Sequence, residues 1–225
     1  MRTKNILIVY AHPEPQSMNG SLFHTAIETF QKMGHQVQTT DLYNQAFHPT
    51  SGRSNFSSVK DPAFYKQQVE ETYAGEVNGF VPELEEEMKK IEACDLMIWQ
   101  FPLWWYSVPA IVKGWVDRVF AIGRAYGPGQ MYETGVFKGK KALLSLTTGS
   151  GPEKYLPDGF EGDIMGILRP LHRGILQFTG FTVLTPHITY SPARKSKQEL
   201  EAELQAYANR LTHIWEEPAF DVGRY

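Results

Sequence analysis

The sequence predicts an α/β fold, a doubly wound five-stranded parallel sheet with helices on both faces. Three observations carry this. Five short apolar runs have the length and aliphatic content of strands buried on both sides. They alternate with segments of helical spacing, the order that parallel βαβ units require. The runs give way to loops rich in Pro, Gly, Ser and Asn, which punctuate rather than continue an element.

"NILIVYAHP" is the first strand, an unbroken aliphatic run stopped by a proline loop. In "NGSLFHTAIETFQKMGH", Leu22, Ala26, Ile27 and Phe30 recur at helical spacing, and Gly34 suits the left-handed C-terminal cap. "QVQTTDLY" is the second strand. Residues 44–81 are polar, contain Ser, Gly and Pro, and show no strong period. Such a length is too great for a simple connection, so this is a functional excursion or a covering flap. "VPELEEEMKKIEAC" is a helix with acids early and lysines late, as the macrodipole prefers. "DLMIWQF" is the third strand, followed by the helix "VPAIVKGWVDRVFAI" with Pro109 near its start. "KALLSLTTG" is the fourth strand. "GDIMGILRPLHRGILQFTG" is helical, with Pro170 expected to kink or split it. "FTVLTPHIT" is the fifth strand and "SKQELEAELQAYANRLTHIWEE" the last helix. The 225 residues form one domain containing the excursion, without internal repeats.

Composition narrows the function. A net charge of −3 gives no support for a nucleic-acid surface. The single cysteine, Cys94, excludes an internal disulfide framework and a cysteine-rich zinc site, and its apolar neighbours mark it as a small core residue. The run from Ile6 to Ala11 is too short for a signal-peptide core, and no stretch approaches the roughly 18 apolar residues of a membrane span. The expected location is the cytoplasm, with no integral membrane segment and no metal site.

In parallel sheets of this kind ligands sit beyond the carboxyl ends of the strands, near a switch in strand order. Three informative segments follow strand ends. The first, "AHPEPQSMNGS", places Ser17 and Asn19 where a helix begins, and a helix N-terminus is an anion site; helix capping alone also explains these residues. Neither G-x-x-x-x-G-K-[ST] nor G-x-G-x-x-G occurs. The second segment contains Trp99, Phe101, Trp104, Trp105 and Tyr106 within eight positions. Consecutive side chains diverge, so the last three cannot all face one core, and at least one lines a cleft or a dimer contact. The third, "TTGSGPEKYLPDGFEGD", offers backbone donors around glycine and the phenol of Tyr155. Together they offer phosphate binding, a planar face and donors for a ring edge, which are the needs of a flavin.

"AHPEPQSMN", "DLY", "QFPLWWYSVPAIVKGWVDRVF", "MYETGVFKGKKALLSLTTG" and "GILQFTGF" resemble, in order and with few length changes from about residue 5 to residue 190, the flavin-dependent NAD(P)H quinone oxidoreductases of the DT-diaphorase type, which have a flavodoxin-like fold. The resemblance implies FAD at a homodimer interface and two-electron, ping-pong reduction of quinone-like acceptors by NADH or NADPH. It implies that His12, Ser17, Met18 and Asn19 hold the FAD diphosphate. Pro102, Leu103, Trp104 and Trp105 run along the flavin ring. Thr147, Thr148, Gly149 and Ser150 supply donors, with Ser150 replacing a family glycine. Tyr155 bonds the reduced ring. Gln67, with Lys66 as its rival, contributes from the excursion. Tyr106, Tyr126 and Met131 contact the acceptor, Tyr126 from the partner subunit, while Pro128 stands where a second such tyrosine is expected.

Two departures follow. Glu161 occupies the place of a family histidine, so the tyrosine–histidine proton relay does not transfer unchanged. An acid there should point to solvent or carry a raised pKa. It is either an exposed loop acid or, with Tyr155, a catalytic residue that replaces the histidine as proton donor or polar contact to substrate. The extra C-terminal region of the longer animal enzymes is missing. As charge develops on the flavin, Tyr155 and the N–H groups of residues 148–150 are the expected stabilisers, and Trp105 and Tyr106 the floor and wall of the cavity. Two other readings share the architecture, a flavin-binding ancillary subunit of a potassium efflux system and an FMN electron carrier.

Overall fold

The structure, a computed structural model, describes residues 2–223. The strands are β1 (Asn5–Tyr10), β2 (Gln36–Asp41), β3 (Leu96–Pro102), β4 (Lys141–Thr148), β5 (Thr182–Val183) and β6 (His187–Tyr190). The helices are α1 (Met18–Lys32), α2 (Gln67–Val77), α3 (Pro82–Ala93), α4 (Ala110–Val119), α5 (Ile164–Leu171) and α6 (Lys197–Thr212). All strand pairs are parallel, in the order β2-β1-β3-β4-β5, with β6 also on β4.

Period-two alternation divides the core. Leu7, Val9, Met97, Trp99, Phe101, Leu144 and Leu146 pack on one face, with residues of α3, α4 and α5. Ile6, Ile8, Tyr10, Leu96, Ile98 and Leu143 pack on the other, with α1 and α6. Both faces are thus covered by helices, which is why the strands read as continuous apolar runs. The ring of Trp99 meets those of Trp115 and Phe120 edge-on at 6.1 and 6.3 Å, filling the first layer.

Gly34 takes the left-handed conformation (φ +78°) just past α1, the cap its position predicts. The excursion differs from expectation: it contains a helix, α2. The buried face of α2 consists of Glu70, Glu71 and Ala74, so no apolar period betrays it. Those acids are satisfied locally. Glu70 accepts from the amides of Lys60 and Asp61, and Glu71 from that of Ile122. The excursion lies against α4, where a side chain at Gly114 would meet Pro49 O at 2.2 Å. Buried Arg118 of α4 donates to His48 O at 2.7 Å and Asn55 Oδ1 at 2.8 Å.

The fifth strand is also interrupted. β5 pairs Lys141 with Thr182, and β6 pairs Ser145 with His187, so one extra residue bulges between them. Pro186, which lacks an N–H, lies in the gap. The helix containing Pro170 continues past α5 as a π-helical segment, His172–Gln177. Cys94 is buried, and burial pushes its thiol up to about 12, as for an inert core residue.

Candidate functional site

The chain passes from β1 to β2 on one side and returns to place β3 on the other, so strand order switches between β1 and β3. The loops after β1, β3 and β4 gather at the carboxyl ends around that point.

The first loop folds tightly over the start of α1. A Cβ at Gly20 would lie 1.9 Å from Pro15 O, so only glycine fits. Ser17 caps the helix by accepting from Gly20 N at 3.1 Å, and the first turn carries no acid. The Met18 and Asn19 N–H groups of that turn remain for an external acceptor at the positive end of the dipole. His12 Nδ1 lies 3.0 Å from the Glu14 amide nitrogen and 3.1 Å from the Glu14 carbonyl oxygen, and the His12 and Trp104 rings are 6.3 Å apart.

The Asn19 side chain departs from its expected role. It is 3% exposed, donates to Thr147 Oγ1 at 2.8 Å and accepts from Gln100 Nε2 at 2.8 Å. Its amide is therefore committed inside the protein, and its backbone N–H alone remains at the helix start. Gln100 was not singled out by sequence; its one signal is a lone amide in the apolar run of β3.

The second loop is a two-residue turn. Trp104 N donates to Ser107 O and Ser107 N to Trp104 O, both at 3.0 Å. The central residues, Trp105 and Tyr106, have φ of +51° and +56°. A turn with two left-handed central residues normally takes Asn-Gly, because L side chains with a Cβ are strained there. Here it holds two large rings outward: Trp105 is 96% exposed. Pro102 pairs with Thr147, and Leu103 N donates to Thr147 O at 2.8 Å, seating the turn on β4.

The third loop begins with buried Thr147 and Thr148, and Thr148 Oγ1 donates to Ser150 O at 2.8 Å. Gly149 is exposed with no protein atom near its missing side chain. Tyr155 is buried, 5.9 Å from the Tyr190 ring; burial first, and then the nearby Glu161 charge, push its phenol upward. Glu161 accepts from Tyr106 Oη at 2.5 Å on one oxygen and from Ser150 Oγ at 2.8 Å on the other. Those bonds hold its carboxyl below the ordinary value. Glu161 is part-exposed, and its two hydroxyl partners and the nearby Lys154 charge lower its carboxyl where only desolvation raises it.

Gln67, Tyr126 and Met131 do not join this cluster within one copy. Gln67 Nε2 donates to Asp117 O at 3.2 Å near the end of α4, and to Glu71 at 2.8 Å. Tyr126 Oη accepts from Gln68 at 3.2 Å, and its ring lies 5.6 Å from that of Phe178. Met131 lies further along the same α4–β4 connection, its amide donating to Thr134 Oγ1 at 3.4 Å. Lys66, the alternative to Gln67, is exposed just before α2, its ammonium 5.7 Å from the Phe64 ring. Among the described residues no helix is long and apolar enough to cross a membrane, and no three His, Cys, Asp or Glu side chains group to hold a metal.

The three loops therefore offer one helix N-terminus for an anion, one outward aromatic face, and a neutral phenol with loop amides. Residues 4–211 match the family described as a flavodoxin-like fold. The chain is 43% identical over 218 residues to the mouse protein named ribosyldihydronicotinamide dehydrogenase [quinone], covering 96% of this chain and 94% of that one. It is 40% identical to rat NAD(P)H dehydrogenase [quinone] 1, covering 96% of this chain and 80% of that one. A crystal structure of a Klebsiella pneumoniae protein assigned as a quinone reductase superposes with a TM-score of 0.91 at 34% identity, covering 96% of this chain and 87% of that one. The chain belongs to the flavodoxin-like fold family, and within it to the family of quinone dehydrogenases that these relatives represent.

Proposed function

We propose that the protein is an FAD-dependent oxidoreductase that uses NADH or NADPH to reduce quinone-like acceptors by two electrons, in a ping-pong sequence. The observation that carries this is Trp105, almost wholly exposed in a strained turn whose neighbouring residues Trp104 and Tyr106 approach His12 and Glu161. A large ring held outward at a cost in backbone energy is explained by a flat ligand to stack on.

The residues fit a flavin nucleotide. The uncapped amides of Met18 and Asn19, with Ser17 and His12 beside them, suit a diphosphate. The open space at Gly149 lets the main chain of Gly149 and Ser150 approach a ring edge. When bound, the flavin supplies the redox chemistry, taking hydride from a nicotinamide and passing two electrons to the quinone. Tyr155 contributes a hydrogen bond: burial keeps its phenol protonated at neutral pH, so it can donate to an atom on which negative charge grows. Trp105 and Tyr106 form the floor and wall against which donor and acceptor are oriented in turn. The inward side chain of Asn19 holds the loop bases together without touching ligand.

The site is incomplete in one copy, because Gln67, Tyr126 and Met131 lie away from the three loops. A homodimer in which a second copy brings these residues to the aromatic turn completes it. The exposed Trp105, Tyr106, Leu156 and Phe160 supply apolar surface for that contact. The names of the relatives at 40% identity or above favour an enzyme over an efflux-system ancillary subunit.

Heat release of the flavin, run against FAD and FMN standards, identifies the cofactor. Stopped-flow reduction by NADH, NADPH and ribosyldihydronicotinamide, followed by a quinone panel, tests the reaction. Rapid bleaching by a nicotinamide and reoxidation by a quinone are expected. A protein that takes up no flavin, or whose flavin no nicotinamide reduces, would refute the reading.

A further inference from the structure

Glu161 lies 55 residues from Tyr106 in sequence and joins it to Ser150, and so connects the aromatic turn after β3 to the loop after β4. We propose that Glu161 is a positioning residue, an anionic brace across these two loops that holds the Trp105–Tyr106 turn in its left-handed conformation. The proposal rests on the functional reading above for its effect on turnover, but not for its structural test.

Three observations lead here. First, both carboxylate oxygens are in use, one per loop, at 2.5 and 2.8 Å. An ionised carboxylate can accept from both hydroxyls at once, which suits a tie between the two loops. Second, the turn needs a brace. Neither central residue is glycine, both have positive φ, and Trp105 at 96% exposure makes little packing contact to hold it. Its backbone is closed by its own pair of hydrogen bonds and seated through Leu103, while the Tyr106 hydroxyl is its side-chain tie to the loop after β4. Third, Ser150 supplies the hydroxyl at the place where the resembled pattern has glycine, and Glu161 stands where that pattern has histidine. The two departures are hydrogen-bonded to each other, so they work as a pair.

The charges facing the brace are consistent with an anion. Tyr106, Ser150 and Lys154 favour the ionised carboxylate, whereas the phenol of Tyr155 nearby is pushed upward by that same charge. Tyr190 lies behind Tyr155.

The test is amide hydrogen exchange of the protein as purified, at pH 7 and without added flavin, read on peptides spanning residues 103–108. Glu161→Ala is expected to raise exchange there about tenfold, with Glu161→Gln intermediate because it keeps an acceptor oxygen. Tyr106→Phe, which removes one arm and leaves the carboxylate, is expected to raise it too. In turnover, Glu161→Ala should raise the acceptor KM more than it lowers kcat. Unchanged exchange at 103–108 in Glu161→Ala and Tyr106→Phe would overturn the proposal. So would a rise spread evenly over β1, β3 and β4, which reports lost folding rather than a lost brace. Neither exchange result depends on quinone reduction, so the brace and the assigned reaction can fail separately.

Discussion

The side-chain amide of Asn19 donates to Thr147 Oγ1 at 2.8 Å while its carbonyl accepts from Gln100 Nε2 at the same distance. One buried residue thus ties the start of α1 to the ends of β3 and β4, beneath all three loops. Asn19→Ala leaves a buried amide and a buried hydroxyl without their partner, a loss of about 1–3 kcal/mol. Calorimetry should show a fall in Tm of about 2–4 °C per kcal/mol for a chain of this size. Flavin retention should fall with it, because the loop bases separate.

Trp105 offers the opposite trade. Its side chain is almost fully exposed and its φ is +51°, so Trp105→Gly relieves backbone strain while losing little packing. Stability should rise, by about 1 kcal/mol. Flavin affinity should fall, since the stacking face is gone, by on the order of 1–3 kcal/mol of buried area. Denaturant melts beside flavin titration check both. Unchanged flavin affinity and quinone kinetics would place Trp105 away from the site.

Tyr155→Phe removes the neutral donor while keeping the buried ring. One lost donor of this type costs up to about 3 kcal/mol elsewhere. Here the loop amides remain, so reduction by a nicotinamide should slow about tenfold. The raised phenol stays protonated throughout pH 6 to 8, so the loss should be constant over that range. Rapid-mixing kinetics at the wild-type rate would remove Tyr155 from the role assigned to it.

Acid stability follows from two histidines outside the site. His172 is buried and His187 half-buried, and burial lowers each from 6.5 to about 4. His172 has no partner for either ring nitrogen among the described residues, and His187 stacks on Tyr207 with ring centroids 4.2 Å apart. The unfolded chain binds these protons at the ordinary value, so stability is full above pH 6.5 and is lost as pH falls toward 4. At pH 5 the loss should be on the order of 2 kcal/mol per histidine. Urea midpoints at pH 7.5 and pH 5 measure it, and His187→Gln should remove about half. A midpoint that does not move with pH would contradict the neutral burial of both rings.

The parts of this molecule that were legible in sequence are those where side-chain pattern and environment agree. β1, β3 and β4 are apolar on both faces because helices cover both, so their runs are unbroken. Gly34 reads directly as a helix end. What was not legible runs against pattern. α2 buries Glu70 and Glu71, and hydrogen bonds rather than apolar contact hold it. A turn of Trp105 and Tyr106 violates the turn code that sequence reading uses. Asn19 stands at a helix start, where an outward side chain is the simple expectation, yet the Gln100 amide draws it inward. Glu161 meets the hydroxyls of Tyr106 and Ser150, partners that its sequence neighbours do not announce.

The central claim is a flavin site built on the loops after β1, β3 and β4 of one copy and completed by Gln67, Tyr126 and Met131 of a second. Native mass spectrometry of the purified yellow protein tests it most directly. The expected species is two 25.6 kDa chains carrying two FAD molecules. A single chain that retains FAD would contradict the shared site, and a protein carrying FMN or no flavin would contradict the cofactor itself.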